Sequence, residues 1–124
     1  METGLLFEKE FTPSPADSAA QMGSGTLNVL STPSVLAALE NVAMNCVADY
    51  LNEGETTVGT LANFKHIQAS SMDTPFIAQA ELVEVDRRRL VFRVKATNLA
   101  GDVLAEGTHE RFVVNIEKFM GKLR

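Results

Sequence analysis

The hydrophobic periods of this chain predict an α+β domain, one long amphipathic helix laid against a single antiparallel sheet. Three observations carry that expectation. Between Ser34 and Leu51, apolar residues recur at helical spacing, with Val35, Leu36, Leu39, Val42, Ala43, Cys46, Val47 and Tyr50 on one stripe. From Thr57 onward the period falls to that of a strand, in segments rich in threonine, valine and aromatic residues. With 124 residues, 45% of them hydrophobic, the chain is long enough for one core and too short for two ordinary domains, so 1–124 reads as a single domain.

The elements follow in order. Leu5 to Phe11 reads as a short strand that Thr12-Pro13-Ser14-Pro15 ends, because proline has no donor for the ladder. Residues 16–30 are small and polar around Gly23-Ser24-Gly25 and read as a mobile loop. Ser31-Thr32-Pro33 supplies a helix start, a hydroxyl cap followed by proline at the first helical position. Asn52-Glu53-Gly54-Glu55 closes the helix. Thr57 to Ser70 is the next strand, and Ile77 to Val85 and Leu90 to Ala96 flank a hairpin turn at Asp86-Arg87-Arg88-Arg89. After a turn at Asn98-Leu99-Ala100-Gly101-Asp102, Val103 to Ile116 makes a long last strand. Leu90, Phe92, Val94 and Ala96 point inward, alternating with Val91, Arg93, Lys95 and Thr97 on a wetter face. The expected order is a strand, a long helix, then four strands in a meander. A curled five-stranded antiparallel sheet around one long central helix is the hot-dog fold. Its open edge predicts a homodimer, and pairing of dimers into tetramers is left open.

Bulk properties exclude several function classes. A net charge of -5 and a pI near 5.0 argue against nucleic acid or an anionic membrane as partner. No apolar run approaches the roughly 18 to 20 residues that span a bilayer. The start, Met1-Glu2-Thr3-Gly4-Leu5-Leu6-Phe7-Glu8, lacks the basic region and apolar run of a signal peptide. The single cysteine, Cys46, has no intramolecular partner and lies on the buried stripe, so a reducing cytoplasm is the expected location. The two histidines, His66 and His109, fall in separate strands without ligand spacing. No metal and no cofactor are expected.

The chemistry-bearing residues have plain readings when taken singly. At roughly 100° per residue, Glu40 projects about 90° from the centre of the apolar stripe, where a charge is costly unless partnered. Alone it reads as a boundary residue paired with a neighbour. Thr32 alone reads as a helix cap, and His66 as a hydrogen-bonded strand histidine. His109 and Arg111 share a strand face, either as a structural polar pair or as binding residues. Arg87-Arg88-Arg89 reads as a solvated turn whose charge could also serve the phosphates of a coenzyme. Cys46 reads as core.

Taken together, these residues form a recognisable pattern. Ser31-Thr32-Pro33 through Glu40, then Gly59-Thr60 and His66, then Gly107-Thr108-His109-Glu110-Arg111 with Ile116-Glu117-Lys118-Phe119, resemble the fluoroacetyl-CoA thioesterase family of hot-dog proteins in residue type and spacing. The resemblance runs from about Val29 to the C-terminus. It implies an acyl-CoA substrate and a catalytic set of Thr32, Glu40 and His66, with a backbone N–H at Gly59 and the Arg111 side chain binding substrate. Those residue types suit thioester hydrolysis, which needs a nucleophile or activated water, a proton donor for the thiolate and donors for the oxyanion. The fluoroacetyl-specific enzyme carries phenylalanines in the loop before the helix. The stretch here, Gly23-Ser24-Gly25-Thr26, has none, which implies a broader or different small acyl group. A hot-dog hydratase would carry an aspartate five residues before a histidine, where this chain has Leu61 and Leu104. The remaining alternative is a non-catalytic protein that binds acyl-CoA or another small ligand.

Overall fold

In the computed structural model, which describes residues 1–124, strand β1 (Leu6–Phe11) leads through a 3₁₀ turn (Pro15–Asp17) into a one-turn helix α1 (Ala19–Met22) and then the long helix α2 (Thr32–Val47). Strands β2 (Glu55–His66), β3 (Phe76–Asp86), β4 (Arg89–Asn98) and β5 (Val103–Asn115) follow, and α3 (Ile116–Gly121) closes the chain. All strand pairs are antiparallel, in a five-stranded sheet of order β1-β3-β4-β5-β2. The hot-dog arrangement is therefore present, but the four-strand meander is not. Only β3-β4-β5 meander. The connection 67–75 is too long for a tight hairpin and carries the chain across, so β2 pairs with β5 at the far edge and not with β3.

The predicted stripe, with Ala38 added and Leu36 only half-buried at its margin, is what fastens α2 to the sheet. Val35, Ala38, Leu39, Val42, Ala43, Cys46 and Val47 are buried against the inward residues of β3, β4 and β5, among them Ala78, Leu82, Leu90, Phe92, Val94 and Leu104. Each fully buried leucine, valine or phenylalanine there contributes about 1.5–3 kcal/mol. Cys46 is packing, as read: its thiol faces the Leu5 and Ala80 carbonyls, and burial pushes its pKa up. Tyr50 departs from the stripe. The helix tightens into a 3₁₀ turn at Ala48–Tyr50, and the ring is 55% exposed. No helix is long and apolar enough to cross a membrane.

Three local readings are corrected. The helix starts one residue early: Ser31 is the cap, its Oγ accepting from the Ser34 N–H at 3.1 Å, and Thr32 is already helical. Residues 16–30 are not a featureless loop. Ser18 bridges Leu30 and Val29 bridges Ser71, while the Ala19 N–H donates to Val29 O at 2.8 Å and the Ser31 N–H to Asp17 O at 2.9 Å. Asp17 also clasps both ends of the segment, accepting from the Ser14 N–H and, at 3.1 Å, from the Ser34 hydroxyl. These bonds are mostly backbone to backbone, so side-chain composition does not announce them. Finally, β5 ends at Asn115, whose Oδ1 accepts from the Lys118 N–H at 2.9 Å and caps α3, so Ile116 belongs to a helix.

Gly107 marks the tightest crossing of β5 over β2. A Cβ there would lie 2.2 Å from Asn63 O and 2.4 Å from Phe64 Cα, backbone atoms that cannot swing aside. Gly107→Ala is expected to destabilise the fold by at least about 1–3 kcal/mol, the usual range for overpacking, read as a lower urea midpoint with an unchanged slope.

Candidate active site

Because Ser31 takes the cap, the Thr32 hydroxyl is free, and its Oγ1 lies 2.8 Å from His66 Nδ1. Helix α2 supplies the threonine at its positive N-terminus, and the last residue of β2 supplies the imidazole. His66 Nε2 is buried and has no protein partner. Burial pulls the His66 pKa below its ordinary value, opposed by a hydrogen bond with the Gln68 backbone, so the ring is neutral at pH 7. A neutral ring with Nδ1 accepting from Thr32 carries its proton on Nε2 as a donor; with Nδ1 donating, Nε2 is a base. Either state aims an unsatisfied group beside a recess of about 260 Å³ lined by Ser24, Val29, Leu30, Ser31, Thr32 and His66.

A second cluster surrounds Gly59. Arg111 is 7% exposed, and its fork is held from three sides. Nε donates to Thr57 Oγ1 at 2.8 Å, Nη2 to Thr57 O at 3.0 Å and Nη1 to His109 Nε2 at 3.2 Å. His109 Nδ1 sits 2.7 Å from Leu61 O. A carbonyl only accepts, so the proton is on Nδ1 and the Nε2 lone pair faces Arg111. Burial, with Arg111 beside it, lowers the His109 pKa and keeps the ring neutral. Burial also lowers the Arg111 pKa, while Glu40 opposes that shift. Glu40 Oε2 is 4.0 Å from Arg111 Nη1 with its side chain 41% exposed, a loose pair open to solvent.

Gly59 stands opposite Arg111 in the β2–β5 register, just before a bulge that leaves Thr60 unpaired and its Oγ1 donating to Glu110 O at 3.2 Å. A Cβ on Gly59 would lie 2.9 Å from Glu40 Oε2, 3.2 Å from His109 Cε1 and 3.3 Å from Arg111 Nη1. The absent side chain is the space that the carboxylate occupies.

One chain thus brings Thr32 to His66, and Glu40 to Gly59 and Arg111, in two separate groups. Thr32 and Glu40 lie on the same helix about 12 Å apart along its axis, at 1.5 Å rise per residue. His109 resolves as a structural anchor of Arg111. Thr57 was missed by sequence reasoning, although its parity with Gly59 on β2 was a usable signal. The turn arginines are partly engaged: Arg89 pairs with Glu84 and Glu110, both at 2.7 Å, and Arg88 with Glu55 at 3.5 Å.

The buried His109 and the half-buried His66 set a pH dependence of stability. Both have folded pKa values below the ordinary 6.5, so on acidification the unfolded chain takes up protons first. Stability is therefore expected to be full above about pH 6.5 and to fall as the pH drops through the folded values. Urea melts between pH 7.5 and 5 check this, and His109→Gln should flatten the slope.

Comparison with known proteins agrees with the geometry. The family described as fluoroacetyl-CoA-specific thioesterase (FlK) matches residues 14–117. The fluoroacetyl-CoA thioesterase of Streptantibioticus cattleyicolor is 31% identical over 130 residues, covering 100% of this chain and 93% of that protein. A solved structure of FlK superimposes with a TM-score of 0.93 at 30% identity, covering 100% of this chain and 96% of that one. A threonine-to-serine FlK variant in complex with acetyl-CoA gives 0.94 at 29% identity, covering 100% and 97%. A thioesterase superfamily member from Thermus thermophilus shares the fold at a TM-score of 0.91 and 20% identity, over 99% of this chain and 90% of that one. With residues 14–117 matched by the family, a relative 31% identical over the whole chain and the same helix-on-sheet fold, the chain belongs to the fluoroacetyl-CoA-specific thioesterase family of hot-dog proteins.

Proposed function

We propose that the protein hydrolyses small acyl-CoA thioesters at a site completed by two copies of the chain, with Thr32, Glu40 and His66 as catalytic residues and Gly59 and Arg111 binding substrate. The observation that carries this reading is the Thr32–His66 pair, 2.8 Å apart, with the buried Nε2 unpartnered beside a recess. Relatives named as thioesterases, one bound to acetyl-CoA, support the substrate class.

The dimer explains why the carboxylate stands apart. Strand β2 lies at the sheet edge, and Thr60 to Asn63 are exposed along it. An antiparallel pairing of two β2 edges centred near Leu61 sets the His66 end of one strand alongside the Thr57–Gly59 end of the other. Thr32 and His66 of one protomer then face Glu40 of the partner subunit across a two-fold axis. Pairing also covers an edge that otherwise invites aggregation.

The division of labour follows. Glu40 attacks the acyl carbonyl or draws a proton from water that does. If water attacks, its C–O bond forms as the C–S bond breaks, the thiolate takes a proton and the free acid leaves. If Glu40 attacks, the C–S bond breaks as an acyl–glutamyl anhydride forms and the thiolate takes a proton; water then cleaves the anhydride to free acid and the regenerated carboxylate. His66, oriented by Thr32, polarises the carbonyl or passes the proton. The Gly59 backbone approaches the ligand closely because no Cβ intervenes. Arg111, fixed by Thr57 and His109, holds positive charge beside Glu40. The recess by His66 is walled by small side chains with no aromatic lid, which supports acyl groups broader than fluoroacetyl. A single buried free thiol suits a cytoplasmic setting. The separation of Glu40 from Thr32 within one chain favours a second reading for a monomeric protein, in which acyl-CoA is bound without turnover.

Purified protein is expected to release free thiol from acetyl-, propionyl- and butyryl-CoA. Glu40→Gln should lower kcat by about 10²–10⁴, the range for a lost acid–base group; a variant as active as the parent removes Glu40 from the mechanism. Gly59→Ala should cut kcat by displacing Glu40, whose flexible carboxylate lies 2.9 Å from the new Cβ, and should also lower the urea midpoint, since the fixed His109 Cε1 and Arg111 Nη1 stand 3.2 and 3.3 Å away. Glu40→Gln and His66→Ala chains are each expected to be inactive, yet to recover about one quarter of parental activity when co-refolded, since half of the dimers are mixed and one of their two sites is intact. No recovery would place all three residues in one chain's site.

A further inference from the structure

Along β5, Arg111, Val113 and Asn115 share one parity and step away from Glu40 by about 7 Å each, from the buried arginine to the exposed asparagine at the end of the sheet. There a recess of about 280 Å³ opens between the β3–β4 turn and α3, lined by Arg88, Val113, Asn115, Lys118, Phe119 and Lys122. Lys118 lies on α3 and Lys122, four residues on, caps its C-terminus in helical backbone conformation, so the two project to the same side. Neither ammonium lies within 4.0 Å of any carboxylate. Arg88 is fixed at the wall. The Val113 N–H donates to Arg88 O at 2.8 Å, and Arg88 Nη1 donates back to Val113 O at 3.2 Å. Glu55, 3.5 Å from Arg88 Nη1, is the one carboxylate paired with these cations, and Arg88 remains 59% exposed.

Two ammonium groups without a carboxylate partner, beside a third cation that shares only Glu55, make this recess a local positive patch in a chain of net charge -5 and so favour an anionic ligand there. The larger outer-face recess of about 450 Å³, between β3, β4 and β5, differs in this respect. Its Arg93 is paired with Glu81 at 2.8 Å, and Glu106 stands in the same wall. The α3 recess also offers apolar surface, Val113 and Phe119, beside its charges. That combination fits a flat aromatic base carrying phosphates, with cations for the oxygens and an apolar wall for the ring.

We infer that the recess between Arg88 and α3 binds the phosphorylated nucleotide end of the coenzyme, with Arg88, Lys118 and Lys122 on the phosphates and Phe119 against the base. This rests on the thioesterase reading for its substrate, yet it is testable without turnover. Val113, in the wall of the recess, is two residues along β5 from Arg111, a span of about 7 Å that a pantetheine arm is long enough to cover, and α3 is held at its start by the Ile116 N–H donating to Gly54 O at 2.9 Å.

Calorimetry with adenosine 3′,5′-bisphosphate, on the full-length Glu40→Gln protein to exclude chemistry, tests the site directly. Binding is expected to weaken about tenfold or more in Lys118→Glu/Lys122→Glu, and less in Arg88→Gln, as charge-assisted contacts to phosphate are lost. With Glu40 intact, the lysine change should raise KM for acetyl-CoA far more than for the N-acetylcysteamine thioester, which lacks the nucleotide. Absence of bisphosphate binding, or binding that the lysine change leaves untouched, overturns the inference. So does an equal rise in KM for both esters, or a preference for acyl groups on a carrier protein. A protein that binds the bisphosphate through these lysines but hydrolyses nothing keeps the nucleotide site and loses the thioesterase reading.

Discussion

The buried Arg111 guanidinium is the constraint around which this end of the molecule is arranged. A charge at 7% exposure is costly unless its donors are satisfied, and three of them are taken by Thr57 and His109. That demand fixes the neighbours in turn. His109 must be neutral with its proton on Nδ1, which ties it to the Leu61 carbonyl across the β2–β5 ladder. Thr57 must face inward on β2, which puts Gly59 on the same side and leaves room there for one carboxylate. Glu40 arrives from α2 into the remaining space. The bulge at Thr60 resets the β2–β5 register immediately after Gly59.

The other end of β2 is governed by a neutral imidazole. Burial keeps His66 uncharged, and a hydroxyl that is not needed as a helix cap orients it. One strand thereby carries both halves of the proposed chemistry: a fixed cation beside an acid at its start, a neutral base or donor at its finish. Within one chain the two halves stay apart because Thr32 and Glu40 are eight residues apart on one continuous helix, a rise of about 12 Å. Antiparallel strand pairing is the symmetry that exchanges a strand's start for its finish, and it needs no change in either chain to do so.

Much of this was legible in the residues. The α2 stripe, the inward set of β4 and the two hairpin turns are periodic signals, and the structure reproduces them to within a residue or two. Strand order was less accessible. Alternation reveals that β2 is a strand but not which neighbour it takes, because that depends on contacts distant in sequence. The loop 16–30 and α3 were missed for local reasons: backbone bonds hold the first, and Asn115 looks like the end of a strand until its cap to Lys118 is seen. At the site, Thr32, Glu40, Gly59, His66 and Arg111 came from a family pattern, and their division into two groups came only from coordinates. The locking role of Thr57 is invisible without knowing that Arg111 is buried.

The Asp17 clasp has a consequence for how such a protein diversifies. It fastens the segment before Ser18 to the segment after Leu30, and the Ser18–Leu30 bridge closes the neck between them. What lies inside that neck, Gly23-Ser24-Gly25 included, is a closed appendage whose length or bulk changes without pulling on the start of α2. Each doubling of such a loop costs only about 0.6 kcal/mol in closure entropy. Selection is thus free to redraw the wall of the recess beside His66 without moving Thr32, so the shape of that recess and the placing of the threonine are inherited on separate pieces of chain.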